Sequence, residues 1–160
     1  MTDIQAVVQL CRIIIGPTFV EVEQSIMYEC IDELRMQGYF VVQIDTIPLK
    51  NLDDLLNAFY EKCYFPDYFG FNEAALKDCL VDFSWLPAAG YIFVFLNIHQ
   101  LDEKSLRIFL RHFALAHQIK ERKARIALKL LLPVHPRNRI LQEITDTWTL
   151  AYLSRRKPAK

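Results

Sequence analysis

Apolar and polar positions along the chain follow two periods, one typical of strands and one typical of helices. Short apolar runs predict four strands, at residues 11–15, 39–44, 91–98 and 126–132. Apolar positions spaced three and four residues apart predict amphipathic helices, at residues 18–37, 52–63, 73–83, 102–121 and 139–153. Because strands and helices alternate, the pattern predicts an α/β domain with right-handed crossovers and a mainly parallel sheet.

Residues that begin helices occur where the apolar spacing predicts helix starts. Asn51 and Asn72 can each cap a helix with the side-chain oxygen, and Thr18 with Glu21 three residues later has the form of a capping box. For these three helices the start signals and the apolar spacing therefore agree. The run at 91–98 is nearly all apolar, so we expect this strand at the centre of the sheet.

The chain has 160 residues, enough for one domain with a sizeable core. Apolar residues make up 52% of it, and no uncharged apolar run approaches the ~18 residues that a membrane span needs. The first residues lack the basic segment of a signal peptide, so we expect a cytoplasmic protein without a membrane partner. The cysteines lie in apolar patterns without close spacing, and we expect reduced core thiols at Cys11, Cys30, Cys63 and Cys79.

A net charge of zero conceals a division between the two parts of the chain. Residues 1–103 contain 5 Lys and Arg against 16 Asp and Glu, and residues 104–160 contain 14 against 3. Such asymmetry can steer a charged partner toward one surface. The cations at 120–123 also fit the end of a helix, where positive side chains are favourable, so their presence does not require a nucleic-acid ligand.

The sequence contains no pattern typical of catalysis or cofactor binding. Its four glycines are isolated, so it has no glycine-rich phosphate loop. His112 and His117 lie about 140° apart around a helix and do not share the face that a metal pair requires. Ser84 lacks the G-x-S-x-G elbow of a nucleophile. We therefore expect no catalytic residue, no metal and no cofactor, and a binding protein rather than an enzyme.

Residues 65–80 read FPDYFGFNEAALKDCL, and residues 83–87 read FSWLP. These two segments closely resemble the inhibitor loop and helix of the barstar family. The resemblance implies a barstar-like α/β fold, in which a mainly parallel sheet of three to four strands is packed with helices.

The same resemblance implies how the chain is organised. We expect a single domain over 1–160, with a barstar-like core at about 39–132. Outside that core we expect an N-terminal strand-helix extension over 1–38, and a C-terminal helix with a basic tail over 133–160.

The resemblance also implies a function, that of a stoichiometric protein inhibitor of a ribonuclease or nuclease toxin, of the antitoxin or immunity type. In the family, this loop and helix plug the cationic active site of a barnase-type ribonuclease, and their acidic groups replace the RNA phosphates. Carried over to this sequence, the partner-binding residues are Asp67, Tyr68, Phe69, Gly70, Phe71, Asn72, Ala74, Lys77, Asp78, Asp82 and Phe83.

Helical spacing supports such a role for the acidic residues. At about 100° per residue, Ala74, Asp78 and Asp82 lie along one helix face, opposite the apolar stripe. Tyr68 can present a rigid aromatic ring just before the helix. Asp78 matches the family's main acidic residue, but Ala74 replaces a second acid and Lys77 replaces the tryptophan of the type member. These two differences predict a target other than barnase itself.

Two alternatives of a different class remain open. One is a nucleic-acid-binding or regulatory interaction module that uses the basic C-terminal third of the chain. The other is a scaffold that oligomerises or docks through residues 139–160. The inhibitor is the leading hypothesis, and a ribonuclease, rather than nucleic acid, is the expected partner.

Overall fold

The strands of the protein form one parallel sheet in a computed structural model that describes residues 2–145 and 150–152. In chain order the strands are β1 (Phe19–Val22), β2 (Phe40–Asp45), β3 (Gly90–Leu96), β4 (Ala127–Pro133) and β5 (Leu150–Tyr152). Their order in the sheet is β2-β3-β4-β1-β5, and every neighbouring pair is parallel. The predicted α/β fold with a parallel sheet is confirmed. The middle strand, however, is β4, and β3 lies between β2 and β4.

Helices cover both faces of this sheet. In chain order they are α1 (Asp3–Arg12), α2 (Met27–Met36), α3 (Leu52–Lys62), α4 (Glu73–Asp82), α5 (Glu103–Ile119) and α6 (Arg139–Thr145). Successive residues of β3 point to opposite faces, as the pleat requires. Phe93 belongs to the core beneath α3, α4 and α5, whereas Ile92 and Val94 belong to the core beneath α1 and α2. Among the described residues, no helix is both long and apolar enough to cross a membrane.

The predicted caps of the two helices nearest the motif are confirmed. Asn51 accepts a hydrogen bond from the N–H of Asp54 at 3.0 Å, and Asn72 accepts one from the N–H of Ala75 at 2.8 Å. Each cap satisfies a backbone donor that the first turn of the helix leaves unpaired. The cap of Asn72 therefore fixes where α4 begins.

The N-terminal extension differs from the expected strand-helix order. Residues 3–12 are helical because Thr2 and Gln5 form the capping box that starts α1, so the strand predicted at 11–15 is wrong. The predicted capping box of Thr18 is also wrong. The carbonyl of Thr18 accepts from the N–H of Leu130 at the start of β1, and Glu21 lies buried within that strand. The extension is thus a helix, a strand and a second helix.

The C-terminal segment predicted as one helix over 139–153 is a shorter helix followed by a strand. Helix α6 ends at Thr145, and residues 150–152 pair with β1 as the edge strand β5. Trp148 and the basic tail at 154–160 lie outside the described residues.

After α5, the chain passes into a π turn at Lys120–Ala124, where two adjacent charged residues are both buried. Glu121 lies 2.8 Å from the Nζ of the buried Lys129, and it accepts the backbone N–H groups of Ile15 and Gly16 at 2.8 and 3.2 Å. The other buried residue, Lys120, reaches toward α4. The π turn therefore joins α5 to both the N-terminal extension and the motif helix.

Relief of backbone strain at Ile15 should stabilise the protein. Ile15 has a φ of 59°, a left-handed conformation that is unfavourable for a β-branched residue, and its side chain is 46% exposed. Because asparagine tolerates this conformation, we expect Ile15→Asn to raise the free energy of unfolding by about 0.5–1 kcal/mol. Urea denaturation measures the change. The control is Ile13→Asn, which is equally exposed but has a φ of −67°, and an equal gain there would contradict the explanation.

The buried cysteines predict a loss of stability at alkaline pH. Desolvation raises the pKa of Cys11 to about 12, and the pKa values of Cys30 and Cys79 to about 11, from 9.0. Above pH 9 the unfolded state therefore releases thiol protons that the folded state keeps, so stability is lost as the pH rises from 9 toward 11. Denaturation at pH 8 and 10.5 should show a smaller loss for Cys79→Ala than for the wild type, and equal losses would contradict this.

Candidate protein-binding site

Helix α4 presents one face to solvent and buries the other. Leu76, Cys79 and Leu80 are buried against the core, as the apolar spacing predicted. Ala74, Asp78 and Asp82 are exposed on the outer face, and the Asp78 side chain is 73% exposed. The outer face of α4 is therefore acidic and open to a partner.

Lys77 contacts the main acidic residue of this face. Its Nζ lies 3.1 Å from Oδ1 of Asp78, and its side chain is only 26% exposed. An ion pair at the surface contributes little to stability when water reaches one of its charges, as it does the carboxylate of Asp78. The carboxylate of Asp78 can therefore leave Lys77 and bind a cation on a partner.

The loop before α4 is held by aromatic rings. Phe65 and Phe69 are buried and meet edge to face, with ring centroids 4.9 Å apart. Phe71 packs between Phe69 and Tyr60, at 4.7 and 4.9 Å. The Nε1 of Trp85 donates to the carbonyl of Cys63 at 3.1 Å, which connects the chain after α4 to the end of α3. The loop is therefore packed on its own aromatic rings and tied to the end of α3.

Tyr68 is the exposed aromatic residue at the tip of this loop. Its side chain is 73% exposed, although the rings on either side of it in sequence pack inward. Local desolvation and, after it, the charge of Asp82 raise the pKa of the Tyr68 phenol. The exposed phenol can donate a hydrogen bond to a partner. Asp67 next to it accepts a long hydrogen bond of 3.4 Å from the Tyr60 hydroxyl.

Gly70 and Phe71 form the junction between the loop and α4. A Cβ on Gly70 would lie 3.2 Å from Nδ2 of Asn72, so a larger residue would disturb the cap. Phe71 has a φ of 51°, which turns the chain into the helix. These residues set the angle between the loop and the acidic face.

Burial divides the residues carried over from the motif into two groups. The exposed ones are Asp67, Tyr68, Gly70, Phe71, Asn72, Ala74, Asp78 and Asp82, and Lys77 is partly exposed. Phe69 and Phe83 are buried in the core and cannot touch a partner without unfolding the site. These two residues belong to the motif because Phe69 supports the loop and Phe83 supports the end of α4.

The structure adds two residues that the sequence patterns did not indicate. Tyr64 is exposed beside the motif and has a φ of 55°, whereas the apolar pattern ended at Cys63. Lys120 is buried beneath the last turn of α4, although a lysine near the end of a helix resembles an ordinary surface cation. Neither has a local sequence signal, because both positions depend on contacts that are distant in sequence.

A separate pocket of about 230 Å³ lies at the carboxyl ends of β3 and β4. His99 lines it and contacts Oδ1 of Asn138 at 2.8 Å, and it stacks on His135 with ring centroids 4.7 Å apart. Within 2–145 and 150–152, no three His, Cys, Asp or Glu side chains are grouped so that they could hold a metal ion. The residues that resemble a functional motif lie on α4 and its loop instead.

A family model described as Barstar (barnase inhibitor) matches residues 24–133. The matched range contains the loop, the whole of α4 and the strands β2, β3 and β4. In a comparison with curated proteins, no sequence matches the chain.

The fold is also similar to solved structures of larger proteins. Cdc6p from Pyrobaculum aerophilum aligns with a TM-score of 0.53 and 16% identity, over 86% of this chain and 38% of that one. A structure of Drosophila ORC bound to AT-rich DNA and Cdc6 aligns with a TM-score of 0.51 and 14% identity, over 84% and 46%. The chain spans less than half of either protein, and at these identities the similarity concerns the fold alone.

The family match covers more than half of the chain, and it includes the exposed acids of α4 and the loop that resembles an inhibitor. The chain therefore belongs to the barstar (barnase inhibitor) family.

Proposed function

We propose that this protein is a stoichiometric inhibitor of a barnase-type ribonuclease or a related nuclease toxin, and that it acts by binding rather than by catalysis. The observation that carries the proposal is the exposed acidic face of α4 beside Tyr68, on a loop fixed by buried aromatic rings. In a cell this would make it an antitoxin or immunity protein. We expect the protein to act in the cytoplasm.

The geometry suits the active site of a ribonuclease. Such a site is concave and cationic because it binds RNA phosphates, and α4 is convex and presents Asp78 and Asp82 outward. Because the loop is already ordered, less conformational entropy is lost on binding. Complementary charge should also accelerate association, and this acceleration should weaken as salt screens the charges.

Titration of ribonuclease activity tests the proposal. Increasing amounts of the purified protein are added to a panel of barnase-type ribonucleases, and cleavage of a fluorescent RNA is followed. For at least one member of the panel, we expect activity to fall linearly and to vanish at one equivalent. Full activity of every member at a tenfold excess of the protein would contradict the proposal.

Nucleic-acid binding by the basic C-terminal third has less support. Arg122, Lys123 and Arg125 precede β4, whereas Arg137 and Arg139 follow it, so the two groups are separated by the length of that strand, about 20 Å. These two groups of described cations therefore lie at opposite ends of β4. A scaffold role for residues 139–160 falls largely on residues outside the described ranges.

A further inference from the structure

The last turn of α4 is held by a buried lysine that is distant in sequence. Lys120 is 1% exposed, and its Nζ donates to the carbonyl oxygen of Val81 at 2.6 Å. The same ammonium lies 4.9 Å from the ring centroid of Tyr91 and 5.7 Å from that of Phe83. A cation enclosed by two rings and a backbone carbonyl therefore lies behind the helix that carries Asp78 and Asp82.

The π turn explains how this lysine reaches α4. In a continuous α-helix, residues 120 and 121 would point about 100° apart, and a solvated helix end would expose at least one of them. Here both are buried, because Glu121 binds Lys129 on β4 while Lys120 extends beneath α4.

Burial of this ammonium is energetically unfavourable unless its contacts compensate. Desolvation lowers the pKa of Lys120 to about 8, and the charge of Asp82 opposes that shift. The last turn of α4 contains no basic residue of its own, although a helix C-terminus favours a positive charge. Lys120 supplies that charge from outside the helix. An apolar side chain would fill the space without supplying either the charge or the hydrogen bond.

We propose that Lys120 is a positioning residue for the acidic face of α4. By holding the carbonyl of Val81, it fixes the direction in which Asp78 and Asp82 face a bound ribonuclease. Phe83 follows with a φ of 48° and turns the chain away from the helix, so Lys120 acts at the point where α4 would otherwise fray. This inference rests on the proposed function of α4, but its first test does not require a ribonuclease.

Hydrogen exchange in the free protein is the first test. Lys120→Met keeps the length of the side chain and removes the charge and the donor, so we expect amides at 79–83 to exchange about tenfold faster. Lys123→Met is the matched control, because Lys123 lies in the same π turn but is exposed. Unchanged exchange at 79–83 in Lys120→Met would overturn the inference.

The second test uses pH, which removes the charge of Lys120 without any substitution. The wild-type affinity for a ribonuclease that it inhibits should fall by about tenfold between pH 7 and 9.5, as Lys120 loses its proton. The charge of Asp82 lies near Lys120. The raised pKa values of Tyr91 and Cys79 keep those groups protonated. Lys120→Met should bind at least tenfold more weakly at pH 7 and should lack this additional fall.

The two tests separate the failure of this inference from that of the proposed function. An affinity of Lys120→Met equal to the wild type, or an identical fall with pH in both proteins, would overturn the positioning role. If exchange at 79–83 quickens in the variant but the wild type inhibits no ribonuclease, the contact of Lys120 with α4 stands and the proposed function fails.

Discussion

Replacement of Asp78 by alanine is expected to weaken binding to an inhibited ribonuclease by about 2–5 kcal/mol, roughly 30- to 5,000-fold in Kd. Asp78 is the most central acid on the outer face of α4, and its described ion-pair partner in the free protein is the neighbouring Lys77. In a complex it would be desolvated against a cation of the active site. Its removal would leave that cation buried and unpaired, which accounts for the large effect.

The Asp78→Ala variant should still fold normally. The side chain is exposed, and alanine is the most favourable residue in a helix interior. Calorimetric titration of wild type and variant at equal salt measures the difference in Kd. We expect most of this difference to come from a faster dissociation rate of the variant.

Asp32→Ala is the matched control for this substitution. Asp32 is exposed on α2, which packs on the opposite face of the sheet, so the substitution changes the net charge equally without touching α4. We expect an effect on affinity below about 0.5 kcal/mol. Equal affinities of Asp78→Ala and wild type would remove α4 as the contact surface.

Replacement of Glu121 by alanine is expected to destabilise the fold by about 3–5 kcal/mol. The carboxylate is buried and accepts from the backbone N–H groups of Ile15, Gly16 and Leu128 and from Nζ of Lys129. Burial opposes its ionisation, but hydrogen bonds and charge from His117 and Lys129 outweigh that effect and lower the pKa of Glu121. The substitution would leave an unpaired ammonium and several unpaired donors in the core.

Glu103→Ala provides the comparison for Glu121→Ala. Glu103 forms an ion pair of 2.7 Å with Arg107 on α5, a distance similar to that between Glu121 and Lys129, but both side chains are largely exposed. We expect its loss to lower the free energy of unfolding by no more than about 0.5 kcal/mol. Denaturation in urea at pH 7 measures both, and a similar small effect of the two substitutions would contradict the importance of burial.

Sequence patterns predicted α3 and α4 correctly because several local signals agree there. An asparagine cap, a regular apolar stripe and a following breaker all occur within about a dozen residues, so no distant contact is needed to define each helix. The exposed acids of α4 follow directly from that periodicity. The sequence therefore predicts the part of the candidate site that α4 and its loop form.

The termini were predicted less well because their local signals conflict with distant contacts. Residues 13–15 are all isoleucine, which favours a strand by composition. Instead they follow α1 and form a turn, and the N–H of Ile15 donates to Glu121, 106 residues away. Thr18 resembles a helix cap, but its carbonyl pairs with β4. A short sequence pattern does not show that a strand will pair with another strand more than 100 residues away.

The buried charges at the π turn were not predicted for the same reason. Residues 120–125 are rich in cations and resemble the solvated end of a helix. Only the position of β4 and α4 around that turn buries Lys120 and Glu121. A residue that acts through a neighbouring helix is thus harder to find from sequence than a residue that contacts the partner.

A footprint of the complex by hydrogen exchange tests the central claim most directly. The protein is measured alone and with an equimolar ribonuclease that it inhibits, and the exchange of each segment is compared. We predict protection concentrated at residues 66–82, with residues 27–36 on the opposite face of the sheet unchanged. Protection confined to 120–125 or 137–139, with none at 66–82, would contradict the assignment of the acidic loop and helix as the binding surface.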